Sequence, residues 1–185
     1  MNKILISILV LLLLTMGCEK EIDTTFLITK NSIGKLEKGS LARDLEVIFD
    51  QDSIVKDTVK LLQGFGATKI KIFEKGGTHL FTLTPSNDSI PVIENINVRD
   101  ARFQTENGIG INSTFKDIKA KYAIKKIQTS LNNVVVFVKN SDVYFTIDKK
   151  ELPSSLQYTS SVNIEAVQIP DAAKIKYMMV GWESF

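Results

Sequence analysis

The sequence predicts an α+β fold: two tandem repeats, each a helix on a small antiparallel sheet, behind an N-terminal signal peptide. Three observations carry that expectation. A helix-forming segment, a hairpin-forming segment and a proline-led strand each occur twice, in the same order. A short apolar run leads into the sole cysteine at Cys18. The composition, 44% hydrophobic and 24% charged over 185 residues, is that of one ordinary globular domain or two small ones.

The helical pair comes first. Gly39-Ser40-Leu41-Ala42-Arg43-Asp44-Leu45-Glu46-Val47-Ile48-Phe49 aligns with Asn112-Ser113-Thr114-Phe115-Lys116-Asp117-Ile118-Lys119-Ala120-Lys121-Tyr122. Each copy opens on a turn residue and a serine suited to cap a helix. Leu41, Leu45, Ile48 and Phe49 recur with helical spacing, as do Phe115, Ile118 and Tyr122. Asp44 and Asp117 fall in the first turn, where the helix dipole favours an anion.

The hairpin pair follows. Ile70 to Leu83 aligns with Val134 to Ile147, with turns at Gly76-Gly77 and Asn140-Ser141. Phe73, Phe81 and Leu83 are expected on the buried face together with Phe137, Phe145 and Ile147. The third pair is Ile90-Pro91 with Ile96 against Ile169-Pro170 with Ile175, each proline opening a strand. Copy one then carries extra residues around Gln51 to Ala67. Copy two carries them within Glu151 to Gln168, a surface insertion or short extra strand that a rigid scaffold can use for binding. Ile175, Tyr177 and Met179 are expected to share a core-facing side of the last strand.

The N-terminus reads as an address. Lys3 gives a basic start, and Ile4 to Met16 would make a helix of about 20 Å. That is short of the roughly 30 Å needed to span a bilayer core, so it reads as a signal peptide. The run ends Leu14-Thr15-Met16-Gly17-Cys18, which resembles the lipobox of bacterial lipoproteins. That resemblance implies lipid attachment (palmitate included) at Cys18, and so a membrane anchor, since acyl chains together hold a protein stably at a bilayer. The departure from the family pattern is Thr15 in the usual leucine position. The expected organisation is 1–17 signal peptide, 18–25 lipidated tether, 26–105 repeat one and 106–185 repeat two. The charged Glu19, Lys20, Glu21 and Asp23 resemble export signals of surface lipoproteins. The implied location is the bacterial envelope, at the outer membrane, facing the periplasm or the surface.

The doubled helix-and-sheet order is similar to the β-lactamase-inhibitor-protein-like fold. Ile96-Asn97-Val98-Arg99-Asp100 running into Gly108-Ile109-Gly110-Ile111-Asn112-Ser113 resembles the sigma-E-regulated lipoprotein family, whose function is unknown. That likeness spans residues 26 to 150 and bears on fold, which does not fix function.

Several kinds of chemistry are disfavoured. One cysteine excludes a disulfide framework and a cysteine zinc site, and one histidine excludes a His-pair metal site. A balance of 23 basic to 21 acidic side chains is no nucleic-acid footprint. His79 with Ser86, Asp88 and Ser89 can be drawn as a triad, yet no nucleophile elbow surrounds the serines. Asp50/Asp52 and Glu94/Asp100 are carboxylate pairs suited to acid–base work only if buried together. Asn107-Gly108-Ile109-Gly110 lacks the rest of a phosphate loop and reads as a turn. Lys116, Lys119, Lys121, Lys125 and Lys126 make a basic surface, solvated or leaning on anionic lipid or an acidic partner. Tyr177, Trp182 and Phe185 are candidate aromatic anchors.

The leading expectation is a non-enzymatic, membrane-anchored envelope lipoprotein. It would bind a protein or envelope component through a sheet face or the 151–168 insertion, with no catalytic, cofactor or metal residues. A small hydrolase using carboxylates or His79 is one alternative. An outer-membrane assembly accessory or inhibitor is the other.

Overall fold

A computed structural model describes residues 23–60, 66–158 and 163–182. Cys18, the signal segment and Phe185 lie outside those residues. The chain enters through three two-residue strands, β1 (Leu27–Ile28), β2 (Ser32–Ile33) and β3 (Leu36–Glu37). Then come α1 (Leu45–Ile48), β4 (Ser53–Lys60), β5 (Gly66–Phe73), β6 (His79–Pro85) and β7 (Ile93–Val98). Strand β8 (Gln104–Thr105) pairs in parallel with β1, closing a small sheet in the order β3-β2-β1-β8. The second half holds α2 (Phe115–Lys121), β9 (Ile124–Thr129), β10 (Asn133–Val138), β11 (Val143–Asp148), α3 (Ser154–Gln157) and β12 (Ile175–Gly181).

The large sheet has eight strands in the order β4-β5-β6-β7-β12-β11-β10-β9. Every neighbouring pair in it is antiparallel. Two meanders therefore meet at β7 and β12. The protein is a mixed α+β molecule, mostly sheet with few and short helices.

Side-chain alternation decides which face the sheet buries. In β10, Val134, Val136 and Val138 are buried while Val135 and Phe137 are half-buried. Ile70, Ile72, Phe81, Leu83, Ile96, Val98, Phe145, Ile147, Met178 and Val180 join the same core. Phe115 and Ile118 of α2 and Leu45 of α1 plug onto it from the helical side. An aromatic chain carries the core to the small sheet, with ring centroids of Phe81 and Phe103 4.5 Å apart and those of Phe103 and Phe26 5.1 Å apart.

Helix α2 forms where the sequence places it. Its cap is Thr114 rather than Ser113: Thr114 Oγ1 accepts from the Asp117 N–H, and Asp117 accepts from the Thr114 N–H at 2.8 Å. That reciprocal box satisfies two helix-end donors. Ser113 instead accepts the Gly110 N–H, tightening the turn before it.

The first helix is shorter than expected. Leu41 is bridged to Val92, with the Ala42 N–H donating to Pro91 O and the Ile93 N–H to Ser40 O. Backbone groups committed to that bridge cannot begin a helix, so only Leu45–Ile48 winds up, without a side-chain cap.

Other expectations are corrected. The extra residues expected around Gln51 to Ala67 include strand β4 and the start of β5, and β9 is likewise an unforeseen strand. Phe73 and Phe137 leave the buried face, which Ile70, Ile72, Val134 and Val136 take. With apolar residues on both sides of these strands, alternation alone does not choose the inward set. In β12, Ile175 is inward but Tyr177 and Met179 are not; Met178 and Val180 take their places. The register shift between Thr146 and Ile147 accompanies that change. Ile93, Ile96 and Val98 of β7 and Ile175, Met178 and Val180 of β12 are the buried residues of their strands. The Glu151–Gln168 stretch carries α3 and the short helical turn Ala166–Gln168, pinned to the core by buried Leu152 and Ile164.

Candidate functional site: the open sheet face

With one face of the large sheet buried, the residues between the inward ones line the other. The registers draw one continuous row across it, one residue from each strand: Val55, Lys71, Thr82, Asn97, Met179, Tyr144, Phe137 and Lys126. All eight are half-buried or exposed. Such a surface is neither a core nor a uniformly charged exterior.

Its centre lies at the β7–β12 seam. The Phe137 and Tyr144 rings stack with centroids 5.2 Å apart. Tyr144 Oη accepts from Asn95 Nδ2 at 2.6 Å, tying the two meanders together. Gly181 makes room for that ring, because a Cβ there would sit 3.2 Å from Tyr144 Cε1. Beside Met179, Asn97 Oδ1 is buried and has no hydrogen-bond partner among the described residues.

One end of the face carries His79. Its ring stacks on Phe73 at 4.6 Å, and Nε2–H donates to Phe81 O at 2.8 Å. Burial holds its pKa below the ordinary 6.5 against the raising effect of the Phe81 carbonyl, and the cations Arg99 and Lys71 push the same way as burial. His79 is therefore a neutral, satisfied ring at pH 7.

The drawn triad does not assemble. His79 opens β6, whereas Ser86, Asp88 and Ser89 follow its far end; Ser86 Oγ accepts the Val92 N–H at 3.2 Å, and Asp88 and Ser89 are exposed. The carboxylate pairs are also apart in role: Asp50 is exposed and Asp52 faces Lys35 at 4.0 Å. Glu94 lies on β7, while Asp100, beyond its end, is bound by Arg102 at 2.6 Å. Asn107 to Gly110 is a turn, with Gly108 at φ +76 and Thr105 Oγ1 accepting the Ile109 N–H. Among the basic residues, Lys119 pairs with Asp171 at 2.6 Å. Lys116, Lys121, Lys125 and Lys126 are exposed. Trp182 is buried and donates its backbone N–H to Glu94 O; Tyr177 is half-buried. No group of three or more metal-ligating side chains gathers among the described residues, and none of their helices is long and apolar enough to cross a membrane.

Comparison with solved structures shows a likeness in fold. The crystal structure of the uncharacterized protein yfeY from Escherichia coli superposes with a TM-score of 0.57 at 12% identity, covering 83% of this chain and 98% of that one. The fold is shared with a bacterial protein. At this identity the likeness concerns fold alone, and the neighbour's title names no activity. No family model and no curated protein matches the chain.

The residues at the centre of the face, Asn95, Asn97, Tyr144 and Met179, were not singled out by sequence reasoning as a site. The signal that would have found them is the alternation of β7 and β11, once Ile96, Val98, Phe145 and Ile147 are fixed as inward.

Proposed function

We propose that this chain is a non-enzymatic, lipid-anchored module of the bacterial envelope that binds a protein partner on its open sheet face. The observation that carries the reading is the row from Val55 to Lys126, with an aromatic pair and Met179 at its middle. Aromatic and methionine side chains set among amides are the composition of protein-binding surfaces rather than of a reaction cleft. The stretch Glu151–Gln168 is a lesser candidate, because Leu152 and Ile164 are committed to the core.

Internal duplication belongs to the same reading. Two matching contacts support it: Leu41 is bridged to Val92 as Thr114 is to Lys174, and Ala42 donates to Pro91 O as Phe115 does to Ala173 O, both at 2.9 Å. Strands β7 and β12 also bury their first, fourth and sixth residues alike. A duplicated unit meeting its copy at β7 and β12 makes one wide face out of two narrow ones. The tether before residue 26, anchored at Cys18, would hold the module at a membrane.

The test is a crosslinked capture from the native envelope, using the tagged full chain beside Met179→Lys and Cys18→Ala. Recovery of one partner in near-equal amount, lost with Met179→Lys, supports the reading. Equal recovery by Met179→Lys removes the face from it, and membrane retention of Cys18→Ala removes the lipid anchor.

A further inference from the structure

A second feature lies at the end of the molecule where the small sheet meets the large one. Lys125 stands near the start of β9 and Lys139 just past β10. Antiparallel pairing brings them to the same sheet end: Ile124 is opposite Val138, and the Lys139 N–H donates to Ala123 O at 2.9 Å. Lys30 comes from the turn between β1 and β2, distant in sequence. Lys38 positions that turn, since its N–H donates to Asn31 O at 2.8 Å while its ammonium pairs with Asp142 at 2.7 Å. The result is an open cleft of about 670 Å³ lined by Lys30, Lys125, Lys139, Asn140, Ser141 and Asp142, together with the side of Val138.

The charge in this cleft is uncompensated. Asp142 is its sole carboxylate and is engaged by Lys38. Lys30, Lys125 and Lys139 have no carboxylate within 4.0 Å among the described residues, whereas Lys35, Lys56, Lys71, Lys119 and Lys176 each have one. Three lysines from three segments border one cleft, and an anion bound there would meet their charge. Neutral donors complete the lining. Ser141 Oγ accepts the Val143 N–H at 3.1 Å, which leaves its hydroxyl proton to donate elsewhere. Asn140 adopts φ 58, the left-handed conformation an asparagine tolerates, and brings its amide to the same rim. A carboxylate offers two oxygens and one charge to this set. A phosphate offers more oxygens and up to two charges, and compact, mobile ammonium groups bind it as point charges.

We propose that this cleft is a binding site for a phosphate-bearing anion, either a soluble phosphate ester or the headgroup of an anionic phospholipid. The site adjoins the open sheet face, since Lys125, Ser141 and Asp142 also border the depression that holds Phe137 and Tyr144, and anion binding there is read without any protein partner.

The test reads each lysine directly. The full chain is acetylated briefly in phosphatidylcholine vesicles, in the same vesicles with added glycerol 3-phosphate, and in vesicles containing phosphatidylglycerol. Labelling is then measured at each lysine by mass spectrometry. At a ligand concentration ten times Kd, Lys30, Lys125 and Lys139 should label about tenfold more slowly, with exposed Lys116 and Lys121 unchanged. Protection by glycerol 3-phosphate identifies a soluble source; protection only by phosphatidylglycerol identifies the headgroup. In the Lys125→Glu/Lys139→Glu double variant, at exposed positions that leave the fold intact, Lys30 should lose its protection. Equal slowing at all five lysines, no slowing at all, or protection of Lys30 surviving in the double variant overturns the proposal.

Discussion

Arg102 clasps Asp100 from two residues away: Nη2 lies 2.6 Å from Oδ2, Nε lies 3.1 Å from both carboxylate oxygens, and the Arg102 N–H donates to Oδ1 at 2.9 Å. The other side of the guanidinium takes both oxygens of Glu74 at 3.1 and 2.8 Å, and its face covers the Phe26 ring at 4.1 Å. One side chain thereby joins the segment after β7, the β5–β6 turn and the entry to the small sheet. The Asp100 side chain is only 7% exposed, so its charge depends on that partner.

The pair sets an acid limit on stability. The Arg102 hydrogen bonds hold the Asp100 carboxyl below the ordinary aspartate value of 3.8, against the raising effect of burial. A carboxyl with a lower pKa when folded gives the unfolded chain the greater proton uptake in acid. Its stabilisation is thus whole above pH 3.8 and lost as pH falls through the folded value. Thermal melts from pH 5 downward should show the midpoint falling, and Asp100→Asn should start lower and fall less steeply. An unchanged slope in Asp100→Asn would exclude Asp100 as its source.

His79 acts in a separate and higher window. Burial depresses its pKa below 6.5. Its stabilisation is therefore present above 6.5 and declines as pH falls from there through the folded value. His79→Gln, which keeps a side-chain amide for Phe81 O, should flatten the stability profile in that upper window and leave the Asp100 window intact. The same variant separates structure from chemistry: a function that survives His79→Gln is not acid–base catalysis by this ring.

The second helix and the two hairpin turns were legible in the sequence because Asp117, Gly76-Gly77 and Asn140 are local signals, decided within a few residues. The outward set was not legible. Phe73 and Phe137 are as apolar as Ile72 and Val136, and only pairing with neighbouring strands settles which of them the core takes. Tyr177 and Met179 were misplaced for a related reason, since the register change at Thr146/Ile147 interrupts simple alternation. Strands β4 and β9 were hidden by their polar residues, as edge strands are, with Lys56 and Asp57 on one and Lys125 and Lys126 on the other. The lysine cleft needed the fold, because Lys30, Lys125 and Lys139 share nothing in sequence but their charge.

Two glycines provide a contrast in backbone strain. Gly34 has φ +54, and a Cβ there would lie 2.7 Å from the Thr25 carbonyl oxygen, which is backbone and cannot swing aside. Gly39 has φ +89 but nothing within 4 Å of its would-be Cβ. Gly34→Ala should therefore cost about 2 kcal/mol or more, the left-handed penalty plus the clash. Gly39→Ala should cost about 1 kcal/mol from conformation alone. Denaturant midpoints of the two variants at constant m-value measure the difference, and equal losses would mean that the Thr25 carbonyl moves away freely.

Adjacent residues of β11 separate folding from binding. Phe145 points inward and is fully buried, so Phe145→Ala should cost about 3–5 kcal/mol, the usual loss for emptying an aromatic site in a core. Tyr144 points to the open face, where its ring stacks on Phe137 and overlies Gly181. Tyr144→Ala should cost markedly less stability, because water fills a half-exposed site. On the proposed function it should nonetheless weaken partner capture by about thirtyfold, the loss typical of a central interface aromatic. Tyr144→Phe sharpens the distinction: it keeps the stack, gives up the Asn95 hydrogen bond, and should retain most of the capture if the ring is the anchor. Melting each variant beside the capture assay reads both quantities in one protein. Equal destabilisation by Tyr144→Ala and Phe145→Ala would mean that this face is packed against something in the native protein. A stable Tyr144→Ala with undiminished capture would move the partner off the sheet face altogether.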